Sequence, residues 1–128
     1  MTRAAIPGTQ EALAVLGDFM LSQFGLVREF HLRYDNEANP PCDTVDLVME
    51  REERGPRAQL VLRFTGVIDL SVCDFYGRGN RISGFTINNI NDWQWENASW
   101  KVDNFENSST RITFCSKTAE IVSARLLE

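Results

Sequence analysis

The segment AQLVLRFTGVIDLSVCD, residues 58–74, carries the clearest structural signal in the chain. From Ala58 to Val72 its even positions are apolar apart from Gly66, whereas its odd positions mix polar and apolar side chains. Because successive side chains of a strand point to opposite faces, this alternation predicts a strand with one buried face. The parity is the same before and after Gly66, and a glycine inside a strand often marks a bend. We therefore predict one long strand, bent at Gly66, at the centre of a sheet.

Shorter alternating runs lie on both sides of this segment. The second predicted strand runs from Thr44 to Arg51 with Val45, Leu47 and Met49 directed inward, and the first places Phe30, Leu32 and Tyr34 on one face. A parity slip near Gly84 predicts a bulge within the strand 81–90. In all, strands are predicted over residues 28–34, 44–51, 58–74, 81–90, 100–105, 111–116 and 119–127.

An N-terminal helix precedes the strands. Leu13, Leu16 and Met20 recur at roughly helical spacing, with Thr9 as the expected N-cap and Gly25 as the expected stop, in one helix or two short pieces. A helix followed by strands with short connections lacks the alternation of helices and strands that builds a parallel sheet. We predict a single domain, residues 1–128, of the α+β class. The helix packs on a mostly antiparallel, strongly bent β-sheet of about seven strands.

Composition narrows the function classes. The net charge is −5, and between residues 35 and 53 seven acids face a single arginine. Nucleic-acid binding requires clustered lysine and arginine, so we expect no nucleic-acid partner, whereas a basic protein partner fits; solubility alone is the other explanation of the charge. We also expect no membrane span and no signal peptide. Three cysteines without CxxC spacing indicate reduced thiols in a cytoplasmic protein.

No motif in the chain predicts catalysis. His31 is the only histidine and lies beside Glu29 and Arg33 on the polar side of the first strand, where we expect an exposed polar residue. The acids around Asp35 do not match the spacing of an EF-hand loop, and the sequence contains no GxSxG, GxGxxG or P-loop. We therefore predict no enzyme activity, no catalytic residue, no metal site and no cofactor.

The most conspicuous feature outside the predicted core is a tryptophan cluster. Trp93, Trp95 and Trp100 lie in one predicted loop-to-strand segment with Glu96. Tryptophan is enriched at interface hot spots, and it also closes cores or stacks on sugars. The sequence leaves both roles open, a lid on the core and a binding surface.

Several segments together resemble a known family. They are Leu62–Val67, Ser83–Ile87, Ile90, Trp95-Glu96, Trp100–Asp103 and Ile112–Cys115. This set resembles the immunity protein 50 family of bacterial polymorphic toxin systems, over a little under half of the chain and without the N-terminal helix. The acidic stretch from Asp35 to Glu53 is not part of the match.

The resemblance implies a small cytoplasmic protein that binds and neutralises a cognate toxin domain by occlusion. Acidic side chains would steer a basic toxin, such as a nuclease, to the encounter. The alternative is a small-ligand or carbohydrate-binding β domain that uses the tryptophan loop, and an exposed edge strand would also permit a homodimer. The candidate partner-binding residues are Asp43, Asp46, Glu50, Trp93, Trp95 and Glu96.

Overall fold

The computed structural model describes residues 6–37, 41–52, 55–73, 80–91, 98–104 and 110–127. Within them, the helices are α1 (Thr9–Leu16) and one turn of 3-10 helix (Leu21–Gln23). The strands are β1 (Leu26–Asp35), β2 (Cys42–Arg51), β3 (Ala58–Thr65), β4 (Ile68–Cys73), β5 (Asn80–Arg81), β6 (Thr86–Asn89), β7 (Trp100–Asp103), β8 (Arg111–Ser116) and β9 (Thr118–Leu126). No helix in this part of the chain is long and apolar enough to cross a membrane.

The nine strands of the described residues form two antiparallel sheets. One has the order β5-β1-β2-β3-β9 and the other β4-β8-β7-β6. The prediction of mostly antiparallel strands with a packed helix is confirmed. The prediction of one bent sheet of about seven strands is wrong.

The structure departs from the predicted single strand at Gly66. This residue has φ 71° and lies between β3, which belongs to the five-stranded sheet, and β4, which belongs to the four-stranded sheet. A side chain here would place a Cβ only 2.8 Å from the Cβ of Lys117, so glycine permits the close crossing. Asp69 has φ 56°, and the pairing of β4 shifts register between Ile68 and Ser71. The chain therefore leaves one sheet for the other where the sequence predicted a single bent strand.

The predicted strand 81–90 is divided in the same way. Its start lies in β5, which pairs with β1, and its end lies in β6, which pairs with β7. Gly84, with φ 68°, lies between them, where a bulge was predicted. Two glycines in the left-handed region thus let the chain change sheets twice.

The core lies between the two sheets. Phe64 of β3 meets Phe114 of β8 edge to face, with ring centroids 4.9 Å apart. Val45, Leu47 and Met49 are fully buried, as predicted. Burial of these apolar side chains is the main stabilising contribution to such a fold.

The N-terminal helical segment forms two short pieces, α1 and the 3-10 turn Leu21–Gln23, which is one of the two predicted forms. Gly8, with φ 91°, is its N-cap, and Thr9, predicted as the cap, is the first helical residue, with its hydroxyl donating to the Ile6 carbonyl at 2.6 Å. Gly17 ends the helix, earlier than the predicted stop at Gly25. The helix packs on β9, as expected for an eight-residue segment that is too short to be stable alone.

Candidate partner-binding site

Asp46, a predicted contact residue, lies in the middle of β2 and is held by arginines. Its Oδ1 accepts a hydrogen bond from Arg63 Nε at 2.9 Å and its Oδ2 accepts one from the same guanidinium at 3.2 Å. Arg33 lies on the other side at 3.9 Å. The hydrogen bond to Asp46 raises the pKa of Arg63. Asp46 therefore presents little uncompensated charge to a partner.

Glu50, the next predicted contact residue, is more enclosed. Its side chain is 8% exposed, and Oε1 lies 3.1 Å from Arg28 Nε and 3.7 Å from Arg57. Its Oε2 accepts a hydrogen bond from Gln59 Nε2 at 3.3 Å. A buried carboxylate needs such partners, because desolvation of an unpaired charge costs several kcal/mol. Glu50 is a stabilising residue of the sheet in this structure.

Asp43 lies near the start of β2 in a different environment. Its side chain is exposed, and none of the ion pairs among the described residues uses its carboxylate. Its carbonyl accepts hydrogen bonds from the backbone N–H groups of Gly66 and Val67 at 3.0 and 3.1 Å. These bonds tie the start of β2 to the point where the chain changes sheets. Asp43 is thus a fixed and outward-facing charge.

Two residues that sequence analysis placed on one face of the first strand with Phe30 are exposed next to Asp43. Leu32 is 51% exposed and Tyr34 is 65% exposed, and Tyr34 pairs with Asp43 across the β1–β2 ladder. Glu37 is exposed just beyond the end of β1. We call this surface, formed by Leu32, Tyr34, Glu37 and Asp43, the hairpin end.

Position in the sheet explains why this face of β1 becomes exposed here. Val45, opposite Leu32 in the β1–β2 ladder, is fully buried, so the core reaches this level of the sheet. Among the described residues, β5 pairs with β1 only at Leu26 and Val27, so the remainder of β1 is a sheet edge with β2 as its single strand neighbour. The alternation of side chains in the sequence cannot reveal this exposure. The available signal was that the first predicted strand runs directly into an acidic loop that contains proline.

The other predicted contact residues, Trp93, Trp95 and Glu96, lie outside the described residues. Trp100, the third tryptophan of the cluster, is half-buried and packs against the main core. Nearby, Cys115 belongs to a small buried cluster, and burial raises the pKa of its thiol. For Trp100, the core role is the one that the packing favours.

The lone histidine is exposed on β1, and its Nε2 lies 2.8 Å from Glu29 Oε1. Within the described ranges, no group of three or more histidine, cysteine, aspartate or glutamate side chains could hold a metal ion.

Comparisons with protein-family models, curated proteins and solved structures give no significant match. The resemblance to the immunity protein 50 family stays a prediction.

Proposed function

We propose that this chain is an immunity protein that binds and neutralises a cognate bacterial toxin domain in the cytoplasm. The observation that carries the proposal is the hairpin end, where two exposed apolar side chains stand beside two exposed carboxylates. Large side chains such as tyrosine provide most of the binding energy at protein interfaces, and surrounding charges steer the approach. The arrangement fits a protein partner with an apolar patch and a basic rim.

Neutralisation in this proposal is occlusion. Tyr34 and Leu32 fill a pocket on the toxin, while Glu37 and Asp43 meet basic side chains of the kind that line the active site of a nuclease. An interface of standard size, on the order of 1,600 Å² in total, extends well beyond these four residues. The predicted contacts Trp93, Trp95 and Glu96 stay predictions.

The test starts with affinity capture from a lysate of the source organism and mass spectrometry of what co-purifies. The expected partner carries a C-terminal domain that is toxic when it is expressed alone and harmless when it is co-expressed with this chain. Capture of partners that are all non-toxic, under conditions in which the neighbouring genes are expressed, would contradict the proposal.

The surface is tested with a matched pair of variants. Leu32 and Leu126 are both 51% exposed, but only Leu32 belongs to the hairpin end. We expect Leu32→Ala to weaken toxin binding measurably, Tyr34→Ala to weaken it by about 2 kcal/mol, or roughly 30-fold, and Leu126→Ala to leave it unchanged. Equal affinities for the Leu32 and Leu126 variants would exclude the hairpin end as the contact surface.

A further inference from the structure

The outer face of the four-stranded sheet carries a polar depression with a volume of about 330 Å³. Lys101 and Asp103 flank Val102, which is buried in the core, so by strand alternation they lie on the face directed away from it. A smaller depression, bordered by Gly84 and Thr86, adjoins the first. We call the larger one the polar depression, and its lining residues are Lys101, Asp103, Asn104, Arg111 and Thr113.

Two buried polar atoms of this lining have no hydrogen-bond partner. Asn104 is 6% exposed, and its Nδ2 donates to the Ile112 carbonyl at 2.6 Å, which leaves Oδ1 unpaired. Turning the amide around would lose the bond to Ile112, so the orientation is fixed. Arg111 Nε is the second unpaired atom. An unpaired buried group costs about 1–3 kcal/mol, and native proteins retain few of them.

The two atoms have opposite hydrogen-bonding character, and this selects the ligand. Arg111 Nε–H needs an acceptor, whereas Asn104 Oδ1 needs a donor. A group that both donates and accepts, such as a hydroxyl, matches this pair. A carboxylate ion only accepts, so it would leave Asn104 Oδ1 unpaired, and any anion, phosphate included, would face the Asp103 carboxylate. An ammonium group only donates, so it would leave Arg111 unpaired.

We propose that the polar depression binds a small polyhydroxyl molecule of the saccharide class. One hydroxyl bridges Arg111 Nε and Asn104 Oδ1, and other hydroxyls bond to Thr113 and to the charged side chains of the lining. Because both unpaired atoms are closed to solvent, the half-exposed Arg111 side chain turns to admit the ligand. A shallow site of this kind predicts millimolar affinity. The site lies on a different sheet from the hairpin end, so it neither requires nor excludes the proposed immunity function.

The experiment is a titration of the ¹⁵N-labelled chain followed by ¹H–¹⁵N NMR, with the spectrum extended to the arginine Nε–H signals. The probes are glucose, galactose, N-acetylglucosamine and, separately, inorganic phosphate. We expect at least one sugar to shift the Arg111 Nε–H signal and the backbone amides of Asn104 and Thr113 in a saturable way. Shifts with phosphate alone, or none with any sugar well above millimolar concentration, would overturn the proposal.

Matched variants separate a ligand site from a water pocket. Arg111→Lys keeps the charge but lacks the Nε–H group, so sugar binding should weaken about tenfold. Arg125→Lys is the control, because it likewise removes an arginine Nε–H group, but on the other sheet, where this group donates a hydrogen bond to Gln59 at 3.0 Å. If Arg111→Lys fails to fold, Thr113→Val tests the same lining and should weaken binding at least threefold. Unchanged binding in the folded lining variant would mean that sugar binds elsewhere and only an ordered water fills the depression.

Discussion

The two halves of the acidic stretch from Asp35 to Glu53 have similar compositions, but their side chains lie in different environments. Along β2, Asp46 in the middle and Glu50 near the end are each held by two arginines and are largely withdrawn from solvent. At the hairpin end, Glu37 and Asp43 are exposed, and no ion pair among the described residues uses them. Sequence acidity is therefore a poor measure of the charge that a partner meets.

Strand register produces this difference. The central position of β2 in its ladder gives Asp46 a neighbour on each side, His31 on β1 and Arg63 on β3. Asp43 has Tyr34 on the β1 side, while its carbonyl accepts from the backbone of Gly66, which has no side chain. The same strand thus stabilises the sheet with one pair of acids and presents another acid outward.

The largest expected effect concerns the enclosed acid. Glu50→Ala should lower the free energy of unfolding by about 2 kcal/mol, because it removes the shared partner of two half-exposed arginines and of Gln59. Urea denaturation followed by circular dichroism measures the change. Glu120→Ala, at an exposed position on β9, is the control and should change stability by no more than about 0.5 kcal/mol. If both variants lose the same free energy of unfolding, the arginines around Glu50 add nothing to stability.

The next effect concerns the outward acid. Asp43→Lys should slow association with a basic toxin about tenfold at low salt while leaving the stability of the fold nearly unchanged. Stopped-flow mixing at two ionic strengths measures the rate, and the difference should shrink as salt screens the charges. Asp18→Lys makes the same charge change at an exposed position in the N-terminal segment. If both variants slow association equally, the rate depends on the net charge of the protein alone, and the hairpin end has no special role in steering.

The smallest effect separates the two arginines of Asp46. Arg63 makes two hydrogen bonds to the carboxylate, whereas Arg33 lies 3.9 Å away with 52% of its side chain exposed. We expect Arg63→Ala to cost about 1 kcal/mol of stability and Arg33→Ala less than about 0.5 kcal/mol. Thermal unfolding of both variants under identical conditions measures the two losses of stability. A larger loss in Arg33→Ala than in Arg63→Ala would contradict the prediction.

The candidate sites were only partly predictable. The sequence places Asp43 directly before the predicted strand 44–51, whereas in the structure it is the second residue of β2. The exposure of Leu32 and Tyr34 does not follow from sequence, because alternation reports faces and not what covers them. The polar depression was also missed, since Asn104 and Arg111 lie outside any motif and come together only through the pairing of β7 with β8. The predicted role of Trp93 and Trp95 stays a prediction.

The sequence by itself determined where most strands of this protein lie, the inward residues of β2 and the mostly antiparallel pairing. Residues 111–116 form β8 with the predicted bounds, and Val45, Leu47 and Met49 are buried because an alternating pattern can satisfy a half-buried strand in only one way. Only the tertiary structure decided that two sheets form in place of one. A glycine such as Gly66 permits both a bend within a strand and a crossing to another sheet, and the choice depends on which strands lie within hydrogen-bonding reach on each side of it.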